Sequence, residues 1–273
     1  MKTFKRIMVN IFAAAVLAFT AFGFTACEDI RTLDITISAG GEEYTLSVDL
    51  YRHLAPKTVD VLLEYVEEGY YDDAVFYKMD GYDSQIMVGD LKESSGAVVQ
   101  NAAKPEIYGE FESNGTKGSN LTASSGAIGL WRSWYSHDGS YTTSSAARDS
   151  GRATWFIPTA DISSYDGYFC IFAQYDTADE SNSAAIDALT EIFSDEDNFE
   201  EYTIYYTGTY DAQAADNNHG LTFHCVPADE FDENEIEDLF TADEKENQLV
   251  QYNAVNVDIP VNFSARIVSI TVA

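Results

Sequence analysis

Strict alternation of apolar and polar residues near both ends of the chain is the strongest constraint on its fold. Ile35 and Ile37, then Tyr44, Leu46, Val48 and Leu50, send apolar side chains the same way, with Ala39-Gly40-Gly41 between the two runs. Ile259, Val261, Phe263, Ala265 and Ile267 repeat the pattern, and the segment continues to Val272. Successive strand side chains leave on opposite faces, so each segment offers one face to a core and one to water. The first two runs read as a β-hairpin and the third as one final strand. The fold class that follows is mainly β.

Two helices interrupt this pattern. The first starts at Pro56, a favoured first helical residue, and Val59, Leu62, Leu63 and Val66 form its apolar stripe before Gly69 ends it. The second is expected over Ala184 to Phe193, with Ser183 as N-cap and Ile186, Leu189, Ile192 and Phe193 on one side. Between them lies a turn-rich region with strand signals at Ala127–Trp131, Trp155–Ile157 and Tyr168–Phe172.

Residues 1–26 read as an export signal. Lys2, Lys5 and Arg6 form a positive start, and Ile11 to Phe24 is nearly all apolar. That run is shorter than the roughly 20 residues needed to span a bilayer and suits a secretory apolar region. Phe24-Thr25-Ala26-Cys27 then resembles a bacterial lipobox, in which the cysteine is lipidated and becomes the new N-terminus. Ordinary cleavage after Ala26 is the alternative. The expected layout is a lipoprotein signal over 1–26, an anchor and tether over 27–33, and one folded domain over 34–273. The expected location is the bacterial cell envelope, outside the cytoplasm, held to a membrane through Cys27.

The formal charge is −31, and the three positives of residues 1–26 are lost on processing. Such a chain is unsuited to nucleic acid or to direct adhesion to anionic lipid. The acids are spread along the chain without an EF-hand pattern, and solubility is the plain reading of the charge. The histidines His53, His137, His219 and His224 form no metal-ligand spacing beyond the chance pair His219/His224, and no Ser–His–Asp set is suggested. Neither a metal nor a cofactor is called for. Cys170 and Cys225 could pair in an oxidising compartment. Cys170 also lies in the apolar run Phe169-Cys170-Ile171-Phe172, where a buried free thiol is common.

The segment from 55 to 90 carries the clearest motif series. It reads Ala55-Pro56-Lys57-Thr58-Val59, Glu68-Gly69-Tyr70-Tyr71-Asp72, Phe76-Tyr77-Lys78 and Ile86-Met87-Val88-Gly89-Asp90. Further blocks follow: Ile107-Tyr108-Gly109-Glu110-Phe111 with Asn114-Gly115, Gly126 to Arg132, Ala153-Thr154-Trp155-Phe156-Ile157, and Tyr165-Asp166-Gly167 with Ile171-Phe172-Ala173. In order and spacing these blocks resemble the cyclophilins, a family of peptidyl-prolyl cis/trans isomerases. The resemblance implies a closed antiparallel barrel of about eight strands capped by two helices.

It also implies a chemistry. The barrier to X-Pro isomerisation, about 18–20 kcal/mol, comes from amide resonance, so uncatalysed exchange takes tens to hundreds of seconds. In the family an arginine hydrogen-bonds the twisted amide while an apolar pocket holds the proline ring, a stabilisation by preorganised groups. Lys78 stands at the arginine position, offering a compact ammonium in place of a planar fork. Phe156 keeps a pocket phenylalanine. One extra residue between Lys78 and Asp90 shifts the next segment by about one position, so that the other pocket phenylalanine falls near Ser84, where Tyr82 could replace it. Gln85 falls at the pocket methionine and Met87 at a substrate-orienting glutamine. Thr154 replaces a second glutamine, Tyr165 a leucine, Ser164 a tryptophan and Phe169 a histidine. In Gly126 to Arg132, Gly129 stands for serine and Trp131 for alanine, and Arg132 borders the groove as a substitute donor.

Two stretches exceed the family frame. Trp134 to Gly151 is a long polar loop. An acidic insertion spans about 194–256, in which Tyr202 to Tyr206 could add a hairpin and Glu230 to Asn247 a surface helix. The insertion reads either as a partner-binding appendage or as tolerated loop growth, which costs little entropy, and is expected to be dispensable for folding. The function implied is isomerisation of prolyl bonds in exported polypeptides. The alternative is a barrel of weak or no activity that binds proline-containing peptides or acts as a chaperone.

Overall fold

The structure is a computed structural model and describes residues 30–116, 121–132, 148–207, 222–234 and 254–273. Cys27, the signal segment, residues 134–147 of the polar loop and residues 235–247 of the expected surface helix lie outside the described residues.

The hairpin forms as expected, β1 (Ile30–Ala39) against β2 (Glu42–Tyr51). Ala39 pairs with Glu42, leaving Gly40 and Gly41 as a two-residue loop with φ of 61° and 92°. A type I′ turn needs positive φ at both loop positions, which glycine supplies without strain. β1 begins at Ile30 and Leu33 is buried, so the strand takes over most of the expected tether at 27–33.

Helix α1 (Pro56–Glu67) buries Thr58, Val59, Leu62 and Tyr65. Its N-cap, Ala55, has no side-chain oxygen to offer the first amides. Glu110, buried in the motif Ile107 to Phe111, supplies two, Oε1 accepting from Lys57 N at 3.1 Å and Oε2 from Thr58 N at 2.8 Å. The second helix, α2 (Glu180–Ile192), starts four residues before the expected Ala184. Asp179 is the cap, accepting from Ser181 N and Asn182 N, while the expected cap Ser183 donates its hydroxyl to Thr177 O.

Eleven further strands complete the fold. They are β3 (Lys78–Met79), β4 (Gln85–Val88), β5 (Leu91–Ser94), β6 (Ala97–Gln100), β7 (Ala127–Leu130), β8 (Trp155–Pro158), β9 (Cys170–Gln174), β10 (Phe199–Thr207), β11 (Thr222–Pro227), β12 (Val255–Pro260) and β13 (Ala265–Val272). Seven form one curled sheet in the order β13-β1-β2-β9-β7-β8-β4. Residues 73–77 run between its two edges. Asp73 N and Phe76 N donate to Ile267 O and Ala265 O of β13, and Tyr77 exchanges both backbone hydrogen bonds with Met87 of β4. These are isolated bridges, so the barrel is not fully closed as a continuous ladder.

The sheet is apolar on both faces. Ile86, Val88, Ile128, Leu130, Trp155, Ile157, Cys170 and Phe172 join the barrel interior with the hairpin and both helices. The intervening Met87, Ala127, Phe156 and Ile171 enter a second core outside the barrel wall. Burial on both faces explains why these strands read as continuous apolar runs while β1 and β2 alternate.

The insertion covers that outer face. A second sheet, in the order β11-β10-β12-β3, places Val257 and Ile259 in the second core, with Tyr202, Ile204, Phe223 and Cys225 against it. The expected hairpin at Tyr202 to Tyr206 is β10 paired with β11. Against the expectation of dispensable loop growth, these strands bury apolar surface of the barrel itself. The single final strand is corrected. β12 pairs with β10 and β3, a short turn follows in which Asn262 and Phe263 have φ near 55°, and β13 then pairs with β1. Alternation persists through the corner, while the apolar residues before and after it serve different cores.

Candidate functional site

Antiparallel pairing sets one row of the candidate site. Met87 of β4 lies opposite Phe156 of β8, which in turn lies opposite Gly129 of β7. A side chain at Gly129 would overlap the Phe156 ring and come within 2.9 Å of Ile171 Cδ1. The Phe156 ring therefore lies over the glycine backbone, fully buried.

Aromatic side chains gather around it. Phe169 meets Phe156 edge to face at 5.2 Å between ring centres, and Tyr165 meets Phe169 at 6.0 Å. Trp131 stacks on Phe169 at 5.7 Å and 21°, and its ring stands edge-on to Tyr82 at 4.8 Å and to Phe156 at 6.4 Å. Its backbone N–H donates to Thr154 O at 2.8 Å. Of the residues singled out in the sequence, the structure thus brings together Phe156, Phe169, Tyr165, Tyr82 and Met87. Trp131 was noted there only as standing in place of alanine. Its size at that position was the signal that it belongs to the cluster.

Gln85 shares this face, two residues before Met87, and is buried. Its Oε1 has no hydrogen-bond partner among the described residues. An unpaired buried acceptor costs roughly 1–3 kcal/mol. Thr154 is buried and hydrogen-bonds Asp90, which also accepts from the Tyr77 hydroxyl at 2.8 Å. Burial raises the Asp90 pKa, and these two hydrogen bonds work against that rise. Gly89, with φ of 134°, sits where a Cβ would come within 2.6 Å of Ala153 O, so this approach requires glycine. Asp90, Thr154, Asn101, Arg152 and Tyr206 line a polar cavity of about 200 Å³, with Trp131 in the wall it shares with the aromatic cluster.

The two cations expected at the site are placed differently. Tyr77 and Met79 enter the second core, so strand alternation sends Lys78 the other way, and its Nζ lies 5.6 Å from the Phe193 ring centre at the end of α2. Lys78, expected from the resemblance to act as the catalytic cation, thus leaves its strand on the side opposite the aromatic cluster. Arg132 is buried rather than lining a groove. Its Nε donates to Tyr168 O at 2.8 Å, and its guanidinium lies 4.8 Å from the Phe111 ring centre and 5.5 Å from that of Phe169. Burial lowers its pKa to about 10, with Arg148 adding to the effect, so it remains charged at neutral pH.

Both remaining cysteines are free thiols. Cys170 is buried in the barrel, 3.4 Å from Thr58 Oγ1, while Cys225 packs against the outer core. They sit in different cores.

Comparison with known proteins follows the same lines. No curated protein matches the chain. Two crystal structures of a Cryptosporidium parvum cyclophilin type peptidyl-prolyl cis-trans isomerase are similar. One, obtained in the presence of the dipeptide Ala-Pro, shows 14% identity and a TM-score of 0.43, and the other 13% and 0.41. Each comparison covers 89% of this chain and 98% of the other. The family of the cyclophilin type peptidyl-prolyl cis-trans isomerase/CLD matches residues 32–207, which hold the hairpin, both helices and the whole aromatic cluster. The chain belongs to the cyclophilin-type peptidyl-prolyl cis-trans isomerase family.

Proposed function

We propose that the chain is a low-turnover peptidyl-prolyl isomerase that receives proline-containing segments of exported proteins at the cluster around Phe156. The observation that carries this reading is the convergence of Phe156, Phe169, Tyr82, Tyr165 and Met87 on one face of the sheet. Such a surface can hold a prolyl ring by apolar contact. It also removes water from the adjacent amide, and an apolar surrounding disfavours the charge-separated resonance form that gives the bond its double-bond character. The Gln85 amide is the polar group placed to hydrogen-bond the peptide backbone from this face. Lys78 leaves on the far side of its strand, and the Arg132 guanidinium, although it lies against the Phe169 ring, is buried with its Nε donated to Tyr168 O, which accounts for low turnover.

Lipidation at Cys27 would hold this activity outside the cytoplasm on a membrane. A clickable fatty acid should label the wild type and not Cys27→Ser, and equal labelling would remove the anchor from the proposal.

A second reading is favoured by the orientations of Lys78 and Arg132. A barrel whose cation at the cluster, Arg132, is buried against Phe169 and bonded to the Tyr168 carbonyl would bind proline peptides without speeding their isomerisation. Exchange NMR on an Ala-Pro peptide separates the two. The first reading requires cis/trans exchange above the uncatalysed rate, and the second requires binding shifts with exchange unchanged.

A further inference from the structure

We propose that Trp131 is a specificity-determining residue of the peptide site, its indole filling the space over Phe156 and Phe169 that a prolyl ring would take. This rests on the reading of the cluster as the peptide site. Gly129 and Trp131 are two residues apart on β7 and its continuation, and both face the outer core. In the resembling family segment the same two positions are serine and alanine. The small residue at 129 lets the Phe156 ring sink against the backbone, since any side chain there would collide with it. The large residue at 131 then covers what has sunk, stacked on Phe169 and edge-on to Phe156 and Tyr82. With the insertion strands packed on the same core, Phe156 and Met87 have no exposed surface, and Gln85 on the same face is buried with its Oε1 unpartnered among the described residues.

A peptide that reaches Phe156 from the side of Phe169 and Tyr82 must therefore displace the indole. Its backbone hydrogen on bonding Gln85 Oε1 and its ring on packing Phe156 offset that displacement only if enough further contacts are made. Binding energy from remote parts of a substrate can drive such a rearrangement. The site is thus tuned to extended segments of unfolded chain and against short prolyl peptides. Trp131 is half-buried and anchored by its backbone N–H on Thr154 O, so the side chain can turn about χ1 and χ2 without moving the strand.

The test titrates the full chain with the tetrapeptide Ala-Ala-Pro-Phe, following binding by NMR and turnover by exchange spectroscopy. Trp131→Ala should bind at least tenfold more tightly than wild type, about 1.4 kcal/mol, with KM falling and kcat little changed. Equal or weaker binding by a variant that keeps a cooperative thermal transition overturns the proposal and leaves the isomerase reading standing if the wild type still exchanges the peptide. Absence of binding by both proteins overturns the two together. Should Trp131→Ala fail to fold, the wild type decides. On peptide addition the Trp131 indole N–H resonance, assigned with Trp131→Phe, should move while that of Trp155 in the barrel interior stays. A Trp131 resonance unmoved while peptide binds overturns the proposal.

Discussion

Lys78 lies directly opposite Asp258 where β3 pairs with β12. Burial raises the Asp258 pKa, Glu201, Asp83 and Asp80 add to the rise, and Lys78 opposes it. Lys78 thus serves as a counter-charge in an acidic corner. Lys78→Ala and Lys78→Arg should each change kcat/KM less than twofold, and Lys78→Ala should lower stability by about 0.5 kcal/mol or less, an effect that fades in salt. A tenfold loss of activity in Lys78→Ala would return this lysine to the reaction.

Glu110 should matter to stability far more than an ordinary loop acid. It satisfies two N-terminal amides of α1 and places negative charge at the positive end of that helix. Glu110→Ala is expected to cost about 1–2 kcal/mol in denaturant unfolding. Glu110→Gln keeps one of the two acceptor oxygens and should cost less. A neutral Glu110→Ala would mean that water replaces the cap without penalty.

Asp90 gives a pH dependence. Burial raises its folded pKa above the ordinary carboxylate value, so the protonated form is the better folded one. The stability it favours is present at low pH and is lost as pH rises from the ordinary carboxylate range through the raised folded value. Asp90→Asn, which keeps an acceptor for the Tyr77 hydroxyl, should therefore raise Tm at pH 7 and leave it unchanged near pH 3. A variant less stable at pH 7 than wild type would show that the charge is held favourably.

The insertion should be needed for a native outer core. Replacing Asn198–Val250 with a Gly/Ser linker removes β10 and β11 and uncovers Tyr77, Met87 and Phe156. The expected product is soluble but poorly packed, with weak near-UV circular dichroism. Ile259→Ala in the full chain should cost about 2–4 kcal/mol, as for other buried aliphatics. A cooperative transition in the truncated protein would show that the barrel wall tolerates exposure.

The hairpin and α1 were legible because periodicity, Gly40-Gly41 and Pro56 act locally, while the barrel followed only from the resemblance in motif order and is not closed as a continuous ladder. The aromatic cluster was legible from motif order, with Phe156, Phe169, Tyr165, Tyr82 and Met87 all meeting in space. The second core was not, because its two halves lie far apart in sequence and each alone looks like loop or strand. The corner at Asn262 escaped for a related reason, since alternation through Ile259 and Ile267 carries no record of which core each residue enters. The side taken by Lys78 also depends on tertiary structure: a motif gives its position on β3, and only the pairing of Tyr77 with Met87 fixes which face it leaves by.

The central claim is that prolyl isomerisation takes place at the Phe156 cluster. Exchange NMR on one Ala-Pro peptide, with wild type and Phe156→Ala compared at equal concentration, tests it most directly. The expected result is wild-type exchange above the uncatalysed rate and at least a tenfold lower kcat/KM in Phe156→Ala, about 1.4 kcal/mol of transition-state stabilisation. Exchange at the buffer rate with wild type, or a Phe156→Ala variant as active as wild type, would contradict it.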